Sequence, residues 1–279
     1  MQGIRRALQL SVILAALTAA CGSDGRGSGA GTIDPRCASV SAEEATSVCS
    51  TPTHTPGYYV EQSNKYFDTL DSTIPPEIRP EYAELVVRWE WPPWLKLTGF
   101  GRDNMIFTDL FLKLIPTRIP VRDCRFFPVQ PFGRCVVVFD YSGDPCPIYE
   151  EFTFNDAGEM TFIEAWTDAP GFLPMADPAD RWGEGPGVNR LSSRIPGLGS
   201  ADGRIDLEGA AMREAASRDA GVGDFVTRAK DPVVWWVIAL IEAGPDLFER
   251  GCNPGGYEEA SRVTARLALR MRPRAKGNR

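Results

Sequence analysis

The sequence predicts an α+β fold from three observations: two stretches of helical apolar periodicity before residue 116, one β-rich run between them, and a series of β-rich runs separated by turn residues up to residue 167. Thr55-Pro56 reads as an N-cap with proline at the first helical position. Tyr59, Val60, Tyr66, Phe67 and Leu70 then mark an amphipathic helix over 57–71, and Ser72 to Pro76 breaks it. Tyr82 to Trp91 alternates, with Leu85, Val87, Trp89 and Trp91 on one side, which predicts a strand that Pro92-Pro93 stops. Over 103–115, Ile106, Phe107, Leu110, Phe111 and Leu114 form a wide apolar stripe, the pattern of a helix largely enclosed by other elements. Runs 121–129 and 135–141 join at Pro131-Phe132-Gly133, and runs 148–154 and 160–167 flank a turn at Asn155 to Gly158, giving an antiparallel meander. Pro170 to Gly199 reads as a Pro/Gly-rich arm. Asp206 is placed to cap a helix reaching about Arg218, and Asp231-Pro232 to start a buried helix over Val233–Ile241.

The run from Tyr149 to Asp168 resembles the last hairpin of the nuclear-transport-factor-2-like superfamily, which includes SnoaL-like cyclases and ketosteroid isomerases, and the order of elements before it agrees. The resemblance covers residues 57–168. It implies a curved antiparallel sheet wrapped on N-terminal helices around an apolar cavity that takes an apolar small molecule, and a homodimer formed through the sheet. Residues 169–279, the arm, a mainly helical extension and a basic tail, exceed the usual length of that family.

At the N-terminus, Arg5 and Arg6 precede a mostly apolar stretch from Ala7 to Ala20 that is too short to span a bilayer. Thr18-Ala19-Ala20-Cys21-Gly22-Ser23 resembles a bacterial lipobox, which implies a signal peptide over 1–20 and lipid on Cys21. A plain secretory signal is the alternative. Glycine after the cysteine favours the outer membrane of the cell envelope. Residues 21–56 then form a Gly/Ser-rich tether and a loop bounded by Cys37 and Cys49. Six further cysteines in an exported chain read as up to three disulfides among fifteen pairings. Cys37–Cys49, Cys124–Cys135 and Cys146–Cys252 is the expected set, because the first two close short local loops.

Composition removes several classes of chemistry. The chain has 279 residues and a net charge of −7; removing residues 1–20 takes away two arginines and leaves −9, so nucleic acid recognised through a broad basic surface is excluded. One histidine excludes a His-rich metal site, and GxGxxG and GxxxxGK[ST] are absent, so neither metal nor cofactor is expected. His54 lies in a loop with no GxSxG to partner it. Asp202 to Glu208 is oxygen-rich but lacks EF-hand spacing. The C-terminus carries Arg262, Arg266, Arg270, Arg272, Arg274, Lys276 and Arg279, either a basic stripe for anionic lipid or a solvated tail.

A three-residue turn closed by Gly158 pairs Phe154 with Met160, Phe152 with Phe162, Glu150 with Glu164 and Ile148 with Trp166. Glu150 and Glu164 thereby become two carboxylates on one apolar face, the arrangement that raises one pKa for general acid–base catalysis. The competing reading is an ion-pair network closed by an arginine such as Arg88 or Arg102. Trp89, Trp91, Trp94, Tyr149 and Trp166 are the pocket candidates, or simply core, with Tyr141 and Asp140 secondary. Two functions follow: a lipid-anchored envelope protein acting as a small-molecule-binding or scaffolding module, or an isomerase- or cyclase-type enzyme using Glu150 and Glu164. The first is the leading expectation.

Overall fold

The computed structural model describes residues 37–91, 97–114, 116–141, 143–167, 173–175, 180–183 and 190–230. The first helix, α1 (Pro56–Leu70), starts on Pro56 after extended Thr55 and turns Tyr59, Tyr66, Phe67 and Leu70 inward, the 3.6-residue repeat of its apolar positions. β1 (Tyr82–Glu90) leads to a short strand that the sequence pattern did not announce, β2 (Leu97–Phe100). α2 (Arg102–Leu112), β3 (Thr117–Phe126), β4 (Gly133–Tyr141), β5 (Asp144–Phe154) and β6 (Met160–Thr167) follow. In the extension, α3 (Ala210–Arg218) begins after Gly209, so the expected capping by Asp206 is corrected: Asp206 instead accepts the Glu208 N–H. Asp219 caps α4 (Ala220–Ala229), accepting from the N–H groups of Gly221 and Val222. The expected helix at Val233–Ile241 and the basic tail lie outside the described residues, as do the signal peptide and Cys21.

The six strands run in the order β2-β1-β6-β5-β4-β3. Every neighbouring pair is antiparallel except β1 and β6, which are parallel, so the sheet is mixed rather than antiparallel throughout. β6 is central and buried at all eight positions, because both faces are covered. On one face α1 packs over β3 and β4, and α2 over β1 and β2. Tyr59, Tyr66, Phe67, Phe152 and Phe154 fill the space beneath them. On the other face Val87, Trp89 and Phe162 meet Leu191, Ile195, Leu198, Met212, Val222 and Phe225 of the extension.

The stripe expected on α2 is only partly enclosed: Ile106 packs against the core, whereas other members face outward. Phe107, Leu110 and Leu114, the last in the turn after the helix, are 61%, 47% and 77% exposed, while Met105, Thr108 and Asp109 point inward. Asp109 is drawn into the core by Tyr82 and Arg88, at 2.8 and 3.1 Å, and this fixes the rotation of the helix. Two of the expected disulfides are present: Cys37–Cys49 closes the N-terminal loop, and Cys124–Cys135 joins directly opposed residues of β3 and β4. Cys146 is also disulfide-bonded, and its expected partner Cys252 lies outside the described residues.

Candidate functional site: two buried carboxylate clusters

The hairpin that places the glutamates turns at Asn155–Gly158, with Gly158 at φ +81° and the Asn155 N–H donating to the Glu159 carbonyl. Phe154 pairs with Met160 as the turn predicts. The register then slips, so that Thr153 faces Phe162, Phe152 faces Ile163, Glu151 faces Glu164, Glu150 faces Ala165, Tyr149 faces Trp166 and Ile148 faces Thr167. Thr161 is the extra residue on β6, and such a bulge sends every later side chain to the other face. The expected Glu150–Glu164 pair is therefore corrected. The two glutamates lie on opposite faces of the sheet, and the partner of Glu164 is Glu151.

On the extension side, Glu151 receives both a Nε and a Nη2 bond from Arg190, at 2.6 and 2.7 Å, and the Tyr149 hydroxyl at 2.7 Å. Arg134 stands 3.9 Å away on β4. Glu164 accepts from the Trp91 indole at 2.7 Å and from the backbone N–H groups of Leu191 and Ser192 at 2.5 and 3.1 Å. Burial pushes its pKa up to about 7; the Leu191 bond opposes that, and the Glu151 charge adds to it. Around these carboxylates the structure gathers four of the five pocket candidates. Trp91 stacks on Trp166 with centroids 6.5 Å apart, Tyr149 tilts against Trp166 at 5.9 Å, and Trp89 meets Trp91 edge-on at 6.3 Å. Trp94 lies outside the described residues. Trp182, missed in the sequence, joins the group between Tyr149 and Phe127, with Arg125 stacked 4.3 Å over it.

On the helix side, Glu150 is 3% exposed, and its Oε2 has no hydrogen-bond partner among the described residues. Burial pushes its pKa up to about 8, Arg88 opposing and Glu90 adding to the shift. Glu90 shares this face, since Glu150 and Glu90 both pair with Ala165 from either side of β6. Beside them Arg88 donates to Asp109 and to the Tyr66 hydroxyl, at 3.1 and 3.3 Å, and Tyr82 donates to Asp109. Arg88 is thus the arginine of the ion-pair reading. Arg102 is not, because it reaches the Tyr82 carbonyl and Glu159 at the far end of β1.

The remaining candidates serve local structure. His54 stacks on Tyr58 at 4.3 Å, Asp140 accepts the Gly143 N–H, and Asp202 accepts the Arg204 N–H. The side chain of Tyr141 lies outside the described residues. A groove of about 800 Å³ runs between the loop of Ser41 to Glu44, Leu85 and the segment from Ser200 to Met212. No group of three or more metal-ligating side chains occurs among the described residues. Comparison with protein-family models and with curated protein sequences gave no match for the chain.

Proposed function

We propose that the chain is an exported protein of the cell envelope, anchored in the outer membrane by lipid on Cys21, whose folded body is a binding or scaffolding module of the nuclear-transport-factor-2-like kind. Export draws on the lipobox resemblance and on the two disulfides within the body, which persist in oxidising compartments. The family reading draws on two helices lying over one face of a sheet that ends in a long meander.

The observation that carries the module reading is the occupation of Glu164 and Glu151. Six donors on Trp91, Leu191, Ser192, Arg190 and Tyr149 take their oxygens, so these carboxylates fasten the extension to the sheet instead of meeting a substrate. Trp91 and Trp182, half-buried against the buried Tyr149 and Trp166, are the aromatic edge such a module would offer to an apolar small molecule. One observation favours the enzyme alternative: the unpartnered Oε2 of Glu150. In that reading the acid is Glu150, and its neighbour on the same face is Glu90.

Expression of the full chain in a bacterium fed an alkyne-tagged fatty acid tests the anchor. Label on the wild type that is lost in Cys21→Ser, together with its membrane sedimentation, is the expected result; an unlabelled chain cleaved elsewhere would overturn it. Native mass spectrometry of the detergent-solubilised protein tests the module: a retained apolar molecule that W91A releases supports it, and retention through E150Q-sensitive turnover favours the enzyme.

A further inference from the structure

Helix α2 buries Met105, Thr108 and Asp109 and turns Phe107 and Leu110 outward. Phe107 and Leu110 lie three residues apart on one face of α2, and Leu114 is exposed in the turn that follows, so three large apolar side chains are exposed between positions 107 and 114. An exposed apolar group of this kind marks a contact surface, since single scattered hydrophobes are ordinary but grouped ones are not. Charged groups border it at both ends: Arg102 and Asp103 in the first turn, and Arg118 exposed at the start of β3. Lys113 takes no part, because its ammonium is held by the carbonyls of Asp68, Asp71 and Ile74 at 2.7–2.9 Å.

The chain preceding the described body bears on what covers this face. Cys37 is fixed to the body by its disulfide with Cys49, and the residues from Cys21 to Cys37 span at most about 55 Å when fully extended. A lipid on Cys21 would therefore keep the body within about 55 Å of the bilayer. The loop of Ser41 to Glu44 that follows Cys37 borders Leu85, and the adjoining groove of about 210 Å³ is lined by Leu85 together with Arg102, the first residue of α2. The anchored end of the body and the start of α2 thus lie on the same edge of the molecule.

We propose that the outward face of α2, through Phe107, Leu110 and Leu114, rests on the bilayer to which Cys21 ties the chain. It is a shallow interfacial contact, with the apolar side chains at the level of the headgroups and upper acyl chains. The lipid thereby limits the distance of the body, and α2 fixes its orientation. This inference rests on the lipid-anchor reading.

The test uses the full lipidated protein in vesicles of phosphatidylethanolamine and phosphatidylglycerol containing a diazirine phospholipid, with adducts mapped by mass spectrometry after illumination. The expected result is adducts on the peptide bearing Phe107, Leu110 and Leu114, reduced severalfold in the F107Q/L110Q/L114Q variant at unchanged melting temperature. Because the mapping is done first on the wild type, it does not depend on that variant folding. Adducts absent from this peptide while the N-terminal peptide carries lipid would overturn the α2 contact and leave the anchor standing. A dimer in native mass spectrometry that the F107Q/L110Q/L114Q variant splits, without lipid adducts on this peptide, would overturn it in favour of a surface between copies. An unlipidated Cys21 in the intact mass would overturn both.

Discussion

Glu151 and Glu164 face one another directly across β5 and β6, each 1% exposed, and each is satisfied separately: Glu151 is paired with the fork of Arg190, and Glu164 accepts from backbone and indole N–H groups. Opposed like charges on a strand pair are unfavourable, and burial sharpens the penalty. The extension is therefore held by groups that would repel each other without it. Replacing Arg190 by methionine leaves Glu151 buried without its strongest partner and should destabilise the fold by about 3–5 kcal/mol. The E151L/R190M double variant should recover most of that loss. Urea unfolding midpoints of the three proteins measure it, and equal losses in the single and double variants would contradict the account.

Stability should fall with rising pH. The carboxyls of Glu150 and Glu164 are raised by burial to about 8 and about 7, so between the ordinary carboxylate value and these values the folded protein holds protons that the unfolded chain has released. Their contribution is complete below about pH 4.5 and is lost as the pH passes through 7 and 8, a change of roughly a few kcal/mol. Asp219 acts in the opposite sense in a different window. Its partial burial is outweighed by bonds from Arg194 and Val222, so its stabilisation is lost only as the pH drops below the ordinary carboxylate range. Unfolding midpoints from pH 5 to pH 9 should decline for the wild type and decline less for E150Q.

The bond between Cys124 and Cys135 closes a loop of 11 residues between opposed positions of β3 and β4. Its removal in C124S/C135S should cost about 2–3 kcal/mol, chiefly through the freedom regained by the unfolded chain. A lowered melting temperature in the double serine variant is the expected observation, with a further drop in reductant, which also opens Cys37–Cys49.

Gly158 carries a positive φ in the β5–β6 turn, and an added Cβ would come within 2.6 Å of His54 Nε2 and 2.9 Å of Tyr58 Cε1. Gly158→Ala should cost about 1–2 kcal/mol from the strained backbone and the crowding together. Thermal melting checks it, and an unchanged midpoint would count against the turn geometry.

Those energies depend on positions of unequal legibility in the sequence. The helix at Pro56–Leu70 and the four later strands declare themselves through period and turn residues, but the meeting of Tyr149 with Trp166 does not, because the expected register set Ile148 opposite Trp166. The slip at Thr161 does not declare itself. β6 is covered on both faces, so its residues carry no inside–outside contrast from which a one-residue shift could be read. The rotation of α2 is hidden for a related reason: an Asp109 paired with Arg88 and Tyr82 behaves as a core residue, and hydrophobicity alone assigns it to solvent. Arg190 sits in a Pro/Gly-rich stretch without periodicity, so nothing local marks it as the counter-ion of Glu151.

The parallel alignment of β1 with β6 also sets a timetable. Arg88 pairs with Ile163, about 75 positions later in the chain, and β6 stands between β1 and the rest of the meander. For a chain made and threaded N-terminus first, β1, β2 and α2 emerge well before the strand that completes their sheet. Until then β1 keeps an open hydrogen-bonding edge beside the bare rings of Trp89 and Trp91. Closure waits on a distant pairing and is slow for that reason, leaving an interval in which a chaperone or holding factor has a strand to protect.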